Sequence, residues 1–300
     1  MYIVQVLSTT APLMLAYYLA SLGHSIVEKS GVLNLAIDGV FVLSVAVAFA
    51  QAIYTWNNPL IPVVISVASS IAVGLILVYT TSKLPVSHGA IGLSLMFLCY
   101  GLSGVIGVPA RTQQGLTGQE VGYPISPVSS VWVLLYIVVV GLGFLLHYIL
   151  ERTKLGAMIK ASGEDPLVAE ALGVDVLKTR ILAGVLGFAL IGLGASAFEL
   201  LYTRIWREGT GIGHGWIAFA VSLSSGRHPL LGIITAFLFA LLYEYRFSIL
   251  AVGLPREMAD ALPYITAITA MVIYMATPLK TKLKTPKSLG KPFFKEERTI

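Results

Sequence analysis

Of the 300 residues, 56% are hydrophobic and only 12% are charged, about half the charge of a soluble domain. Too few polar side chains remain to cover a water-facing surface, so the composition excludes a soluble globular protein and describes an integral membrane protein. The single cysteine, Cys99, excludes an internal disulfide framework and any cysteine-built zinc or iron-sulfur centre. The net charge of +5 resides in the last 21 residues, where Lys280, Lys282, Lys284, Lys287, Lys291, Lys295 and Arg298 face only Glu296 and Glu297. With the rest of the chain neutral, the pattern argues for a basic tail beside anionic lipid and against nucleic acid.

A membrane core needs about 20 apolar residues in helical form. Charge-poor stretches predict spans at about 5–27, 33–54, 60–81, 85–108, 128–150, 181–202 and 262–278, with shorter apolar runs at 214–225 and 230–243. No charged side chain occurs before Glu28, a stretch too long for a signal-peptide core, so no cleavage is expected. Nine spans with the tail inside place 15 of the 20 basic residues on the cytoplasmic side, and only Arg111, Arg204, Arg207, Arg246 and Arg256 outside. The basic-residue bias of cytoplasmic loops favours that orientation, with residues 151–180 and the C-terminus in the cytoplasm. The expected organisation is a transmembrane domain over 1–278, with a cytoplasmic loop at 151–180, and a basic tail over 279–300.

Asp38-Gly39-Val40-Phe41 opens a span that is followed by Asn58-Pro59-Leu60, and His214-Gly215-Trp216-Ile217 opens one followed by His228-Pro229-Leu230. In the nine-span topology these passages run in opposite directions, the relation of an inverted repeat. Residues 214–225 span only about 18 Å as a helix, short of a hydrocarbon core of about 30 Å. A broken or re-entrant helix is therefore expected there, its backbone buried in protein or lining a watery cavity. Gly209, Gly211, Gly213 and Gly215, and Gly31 with Gly39 in the first half, supply conformational freedom or close packing. Small residues four apart, Ala183 with Gly187 and Gly192 with Ser196, suit tight helix contacts.

The 151–180 stretch has five charges of each sign and is longer than a connection between spans requires. Its balanced, amphipathic character predicts a short helix that docks into a cytosolic partner. It reads Thr153-Lys154-Leu155-Gly156, then Lys160-Ala161-Ser162-Gly163-Glu164-Asp165-Pro166, then Ala169-Glu170-Ala171-Leu172-Gly173-Val174. This order resembles the coupling loop of permease subunits from binding-protein-dependent ABC importers, in particular the simple-sugar and nucleoside group. Lys160 stands where that group more often has arginine, and Glu170 interrupts its paired alanines. Ala11-Pro12-Leu13, Glu28-Lys29-Ser30-Gly31-Val32-Leu33-Asn34 and Asp38-Gly39 are similar to the group's N-terminal pattern, with Asp38 in place of the usual glutamate. The likeness covers roughly residues 5–278.

The resemblance implies an all-α polytopic bundle of about nine spans with two inverted repeats and broken helices, placed in the cytoplasmic membrane. It implies transport of a simple sugar or nucleoside, with ATP and magnesium on separate cytosolic ATPase subunits and no cofactor or metal in this chain. Gly290-Lys291-Pro292 lacks the spacing and hydroxyl of a nucleotide-binding loop. Expected partners are an ABC ATPase, an extracytoplasmic substrate-binding protein, membrane lipid, and a second permease, either a related chain or another copy. The coupling role falls on Arg152, Gly156, Lys160, Gly163, Glu164, Asp165, Pro166 and Gly173. The binding protein is expected at 109–127 and 203–213, where Arg111, Glu120, Arg204, Arg207 and Glu208 are candidate ion-pair partners or simply solvated charges.

A charge inside the membrane costs about 2.5 kcal/mol or more, which makes intramembrane acids functional candidates. Asp38, with Asn34 one turn earlier, either lines the translocation pathway or builds the helix start. Glu199 either lines the pathway or pairs with Arg204 or Arg207. His214 and Trp216 either meet a sugar or base or anchor at the interface. The alternatives to a sugar or nucleoside importer are a branched-chain amino-acid permease and an ion-coupled carrier using Asp38 or Glu199. A serine-protease reading of Gly101-Leu102-Ser103-Gly104 fails because His147 and His214 are expected at opposite ends of the spans.

Overall fold

The computed structural model describes residues 2–56, 58–126, 128–248, 255–277 and 285–292. Every regular element among them is helical: α1 (Tyr2–Lys29), α2 (Ile37–Tyr54), α3 (Ile61–Lys83), α4 (His88–Thr117), α5 (Val131–Arg152), α6 (Lys154–Glu164), α7 (Pro166–Ala171) and α8 (Val176–Ala197) come first. A π-helical turn at Phe198–Thr203 extends α8, and α9 (His214–Ser224), α10 (Pro229–Tyr245) and α11 (Arg256–Ala276) follow. Each apolar segment expected from sequence coincides with a helix. Among the described residues seven are long and apolar enough to cross a membrane; Pro229–Ser248, expected as a shorter run, is one of them, and the expected span at 262–278 is not. With 11 residues, α9 rises only about 16 Å and is the short, broken element that its sequence predicts.

Several boundaries differ from expectation: α8 and α11 begin at Val176 and Arg256 rather than at 181 and 262, and two further shifts have a visible backbone cause. The second span starts at Ile37 rather than 33, because Gly31 takes φ +95° and residues 32–36 form no helix. Asn34 therefore lies in this irregular approach, not one helical turn before Asp38. The fourth helix continues through Pro109 to Thr117 rather than ending near 108. It stops at Gly118, whose left-handed conformation (φ +66°) lets its N–H reach the Gln114 carbonyl at 2.8 Å.

The core is built from α1, α2 and α8. Nearly the whole length of α2 is buried, which suits a helix apolar on every face. By contrast, α5 presents Leu134, Ile137, Phe144 and Leu145 outward, as a lipid-facing helix does. The seam between α1 and α8 depends on small residues. A Cβ on Gly187 would lie 2.5 Å from Val27 and 2.6 Å from the Gly23 carbonyl. Gly192 serves α3 in the same way, where a Cβ would approach Val67 Cα at 2.8 Å. The close approach lets serine hydroxyls cross the seams: Ser70 donates to the Phe188 carbonyl at 2.6 Å and Ser66 to the Ser44 carbonyl at 2.8 Å. Ser196 instead bonds within its own helix, to the Gly192 carbonyl.

Overpacking such a seam costs about 1–3 kcal/mol. Gly187→Leu and Gly192→Leu are expected to lower thermal stability in detergent by that order, whereas Gly141→Leu, where a Cβ meets nothing within 4 Å, is expected to be neutral. Thermal unfolding of the three variants checks the assignment.

Candidate functional site

A helix that begins inside a membrane leaves its first N–H groups without partners. Gly213 precedes α9 with φ +88° and offers no side chain to cap it. Asp38, in the first turn of α2, supplies the missing acceptors. Its Oδ2 accepts the Gly213 N–H and its Oδ1 the Trp216 N–H, both at 3.1 Å. The Tyr100 hydroxyl of α4 donates to Oδ2 as well. One carboxylate thus joins α2, α4 and α9, with the positive ends of two helix dipoles beside it. Gly209 and Gly211, with φ +86° and +92°, turn the chain into this position. Gly39 and Gly215 have a different role from that of these turn glycines: both are helical, and they admit the backbones of Met96 and Asp38 respectively.

His214 lies in an aromatic enclosure. The hydroxyls of Tyr17 and Tyr243 meet Nδ1 and Nε2 at 2.8 and 3.1 Å. The rings of Phe198 and Tyr243 lie 4.3 and 4.7 Å from the imidazole, centroid to centroid. Both ring nitrogens are occupied and the histidine is buried, so it presents no free face in this conformation. Trp216 is half-buried with its ring edge-on to Phe219 at 5.7 Å. Asn34 is fully buried and its carboxamide makes no hydrogen bond.

Glu199 is also fully buried, within the π-helical turn. The pairing expected with Arg204 or Arg207 is not formed: neither carboxylate oxygen has a hydrogen-bond partner, and Arg204 reaches Glu199 only through its backbone N–H, which donates to the Glu199 carbonyl at 2.8 Å. Beyond the π turn, Arg204 leaves the helix in a left-handed conformation (φ +56°) and Arg207 is exposed.

At the end of the bundle where α5 gives way to α8, the charged stretch folds as the pair α6–α7. Thr153 caps α6 by accepting the Gly156 N–H at 3.3 Å, and Asp165 caps α7 by accepting from Leu167 and Val168 at 3.0 and 3.1 Å. Pro166 occupies the first position of α7, and Gly173 ends it in the left-handed region. Arg152, Glu164, Asp165 and Gly173 are exposed, and Lys160 pairs with Glu151 at 2.7 Å. Gly156 and Gly163 are buried against backbone, Gly163 on Lys29 and Gly31, so neither faces outward. The outward face carries Leu167, Val168 and Leu172, the last 79% exposed.

Beneath α6 lies an ion-pair network that sequence reasoning missed. Arg227, in the link between α9 and α10, donates to Glu28 at 2.5 Å, and His24 lies 3.3 Å from the same carboxylate. Arg180 donates to the Ser30 carbonyl at 3.1 Å. The one local signal was the four-residue spacing of His24 and Glu28, which places them on one helix face. Near the opposite end, Arg111, Glu120 and Arg204 line one polar cavity of about 550 Å³ together with Gln114, Gln119 and Thr203. Arg207 and Glu208 are exposed and do not line it.

Long apolar helices around a buried, internally capped half-helix describe a polytopic helical membrane protein. The chain belongs to the family described as branched-chain amino acid transport system / permease component, which matches residues 6–271. It is 25% identical to a Haloferax volcanii protein named as a candidate glucose ABC transporter permease, TsgC13, over 97% of each chain. It is also 25% identical to the guanosine ABC transporter permease protein NupQ of Bacillus subtilis, over 99% of each. Among solved structures, PsaBC from Streptococcus pneumoniae in complex with Fab shares the fold, with a TM-score of 0.53 and 12% identity over 92% of this chain and 93% of that one. The chain is therefore a multi-pass transport component and not an enzyme. Membership implies a separate ATPase and a substrate-binding protein as partners.

Removing an N-cap side chain costs about 0.5–2 kcal/mol. Asp38→Ala is expected to lower thermal stability by that order and to increase hydrogen exchange at residues 213–218, while Asp38→Asn, which keeps one acceptor, is expected to lose less. Hydrogen-exchange mass spectrometry of both variants checks the cap.

Proposed function

We propose that this chain forms the membrane path of an ABC importer for a simple sugar or nucleoside. The names of the glucose and guanosine relatives over nearly the full chain carry this reading. The ATPase, which holds ATP and magnesium, docks on α6–α7 through Leu167, Val168 and Leu172, with Arg152, Lys160, Glu164 and Asp165 at the rim. Gly156 and Gly163 support that surface from within, Pro166 starts α7 and the exposed Gly173 ends it. The α6–α7 end faces the cytoplasm, in keeping with the bias of basic residues, and the C-terminal tail lies on the same side. The polar cavity bearing Arg111, Glu120 and Arg204 then faces the binding protein.

Transport requires the path to open on alternate sides. The two breaks, at 31–36 and 204–213, precede α2 and α9 in the manner of an inverted repeat, and Asp38 holds the second half-helix against the first. Asn34 and Glu199, buried without hydrogen bonds, are the groups that gain most when the path hydrates, because an unmet buried polar group costs about 1–3 kcal/mol. His214 and Trp216 border the same half-helix. A second permease, most simply a related chain, completes the path.

The test is cross-linking through a cysteine placed at Leu172, followed by purification in mild detergent and mass spectrometry. An ATPase captured at that position together with a distinct second permease is the expected result. Capture of no ATPase by a folded sample would refute the importer reading, and a complex with this chain as its sole membrane subunit would refute the heterologous pair. Leu172→Asp is expected to reduce ATPase co-purification at least tenfold without altering membrane insertion. Uptake of labelled nucleosides and sugars by the intact importer identifies the substrate.

A further inference from the structure

Residues 285–292 come from the segment expected to be a basic, lipid-facing tail, yet they are built into the protein. Ser288 is only 7% exposed. Its N–H and its hydroxyl both donate to the Gly163 carbonyl, at 2.9 and 2.6 Å. Two residues on, the Gly290 N–H donates to the Gly31 carbonyl at 3.1 Å. Before it, the Thr285 hydroxyl receives Arg227 Nη1 at 3.3 Å.

These partners are not arbitrary. Gly163 lies in the last turn of α6, where carbonyls lack helical donors, and Gly31 opens the break between α1 and α2. The segment therefore supplies donors to two carbonyls that helix ends leave open. The fit is tight: a Cβ on Gly31 would lie 2.8 Å from Ser288 Oγ and 3.3 Å from Gly163 Cα. Three parts of the chain thus converge on residues 285–290: the end of α6, the approach to the Asp38-bearing helix α2, and the Arg227 link that leads out of α9.

We propose that residues 285–292 are a strap that transmits movement of α6–α7 to the break before α2 and to α9. Ser288 is its positioning residue. This rests on the reading of α6–α7 as the ATPase-docking surface. Without the strap, α6 still meets Lys29 and Gly31 through Gly163, and Arg227 still pairs with Glu28 of α1, but the direct path from the Gly163 carbonyl through Ser288 and Thr285 to Arg227 is lost, so α6 carries α9 less.

The experiment uses the complete importer purified from its own membranes, with spin labels on cysteines replacing the exposed Ala157 of α6 and Ile212. The native Cys99 is buried and does not compete for label. Pulsed electron paramagnetic resonance follows the distance between the labels with and without ATP. An ATP-driven change is expected in the otherwise native chain. Ser288→Asp and truncation after Lys284 are expected to reduce it at least twofold while ATP hydrolysis stays within twofold, and Ser288→Ala, which keeps the backbone bonds, is expected to reduce it less. If the truncated chain fails to assemble, Ser288→Asp carries the test, its displaced strap verified by faster tryptic cleavage after Lys287. An unchanged ATP-driven shift in Ser288→Asp would overturn the strap, and a larger shift would identify a restraint instead of a transmitter. Absence of any shift in the native chain with ATPase bound would overturn the docking reading itself.

Discussion

Lipid offers no hydrogen bonds, so a helix that starts partway through a membrane must find its acceptors within the protein. The broken helix α9 meets this constraint through the carboxylate of Asp38, which accepts from two of its backbone N–H groups. Much of the bundle is arranged to hold that carboxylate in place. The first turn of α2 carries it, Tyr100 of α4 donates to it, and Gly215 lets α9 approach its backbone. An anion at a helix start is ordinary chemistry. Here it comes from a different helix, so that a local cap becomes a joint between distant parts of the chain.

A second level of organisation lies at the α6–α7 end. Gly31, Gly163 and Gly290 come from three separate segments and bring their backbones together. Beside them Arg227 and Glu28 form a buried ion pair, an arrangement whose stability depends on both members because either alone would be a stranded charge. Backbone contact and buried charge both resist gradual deformation. The end of α6, the start of the first break and the link after α9 are thus suited to shift together rather than to yield one at a time.

The positions of the helices were legible in the sequence because a hydrocarbon core imposes a length on every apolar segment. Even the shortness of α9 followed from the length of the apolar run at 214–225. Boundaries were less legible: Gly31 and Gly118 end their helices through left-handed backbone, and a glycine in an apolar stretch can equally serve packing, as Gly187 does. The candidate site was half legible. Asp38 attracted attention as a charge where charges are costly, but its partners, the N–H groups of Gly213 and Trp216, carry no side-chain signature. Tyr17 and Tyr243 look like ordinary aromatics until the fold places them on His214. The inward orientation of Gly163 and the folding back of residues 285–292 depend on tertiary contacts that no local pattern encodes.

A π-helical turn holds one residue more than the α-helical turn it replaces. Between Phe198 and Thr203 that surplus residue sets the angular position of everything downstream, since each residue turns a helix by about 100°. Losing one residue there would yield a smoother helix but would point the following Arg204 bend, and with it the glycine turns before α9, in another direction. Comparison of related chains should therefore allow a one-residue gap in this stretch. An ungapped alignment through residues 198–203 would carry the register of α8 past the turn and set Arg204 and the residues after it one position out of phase.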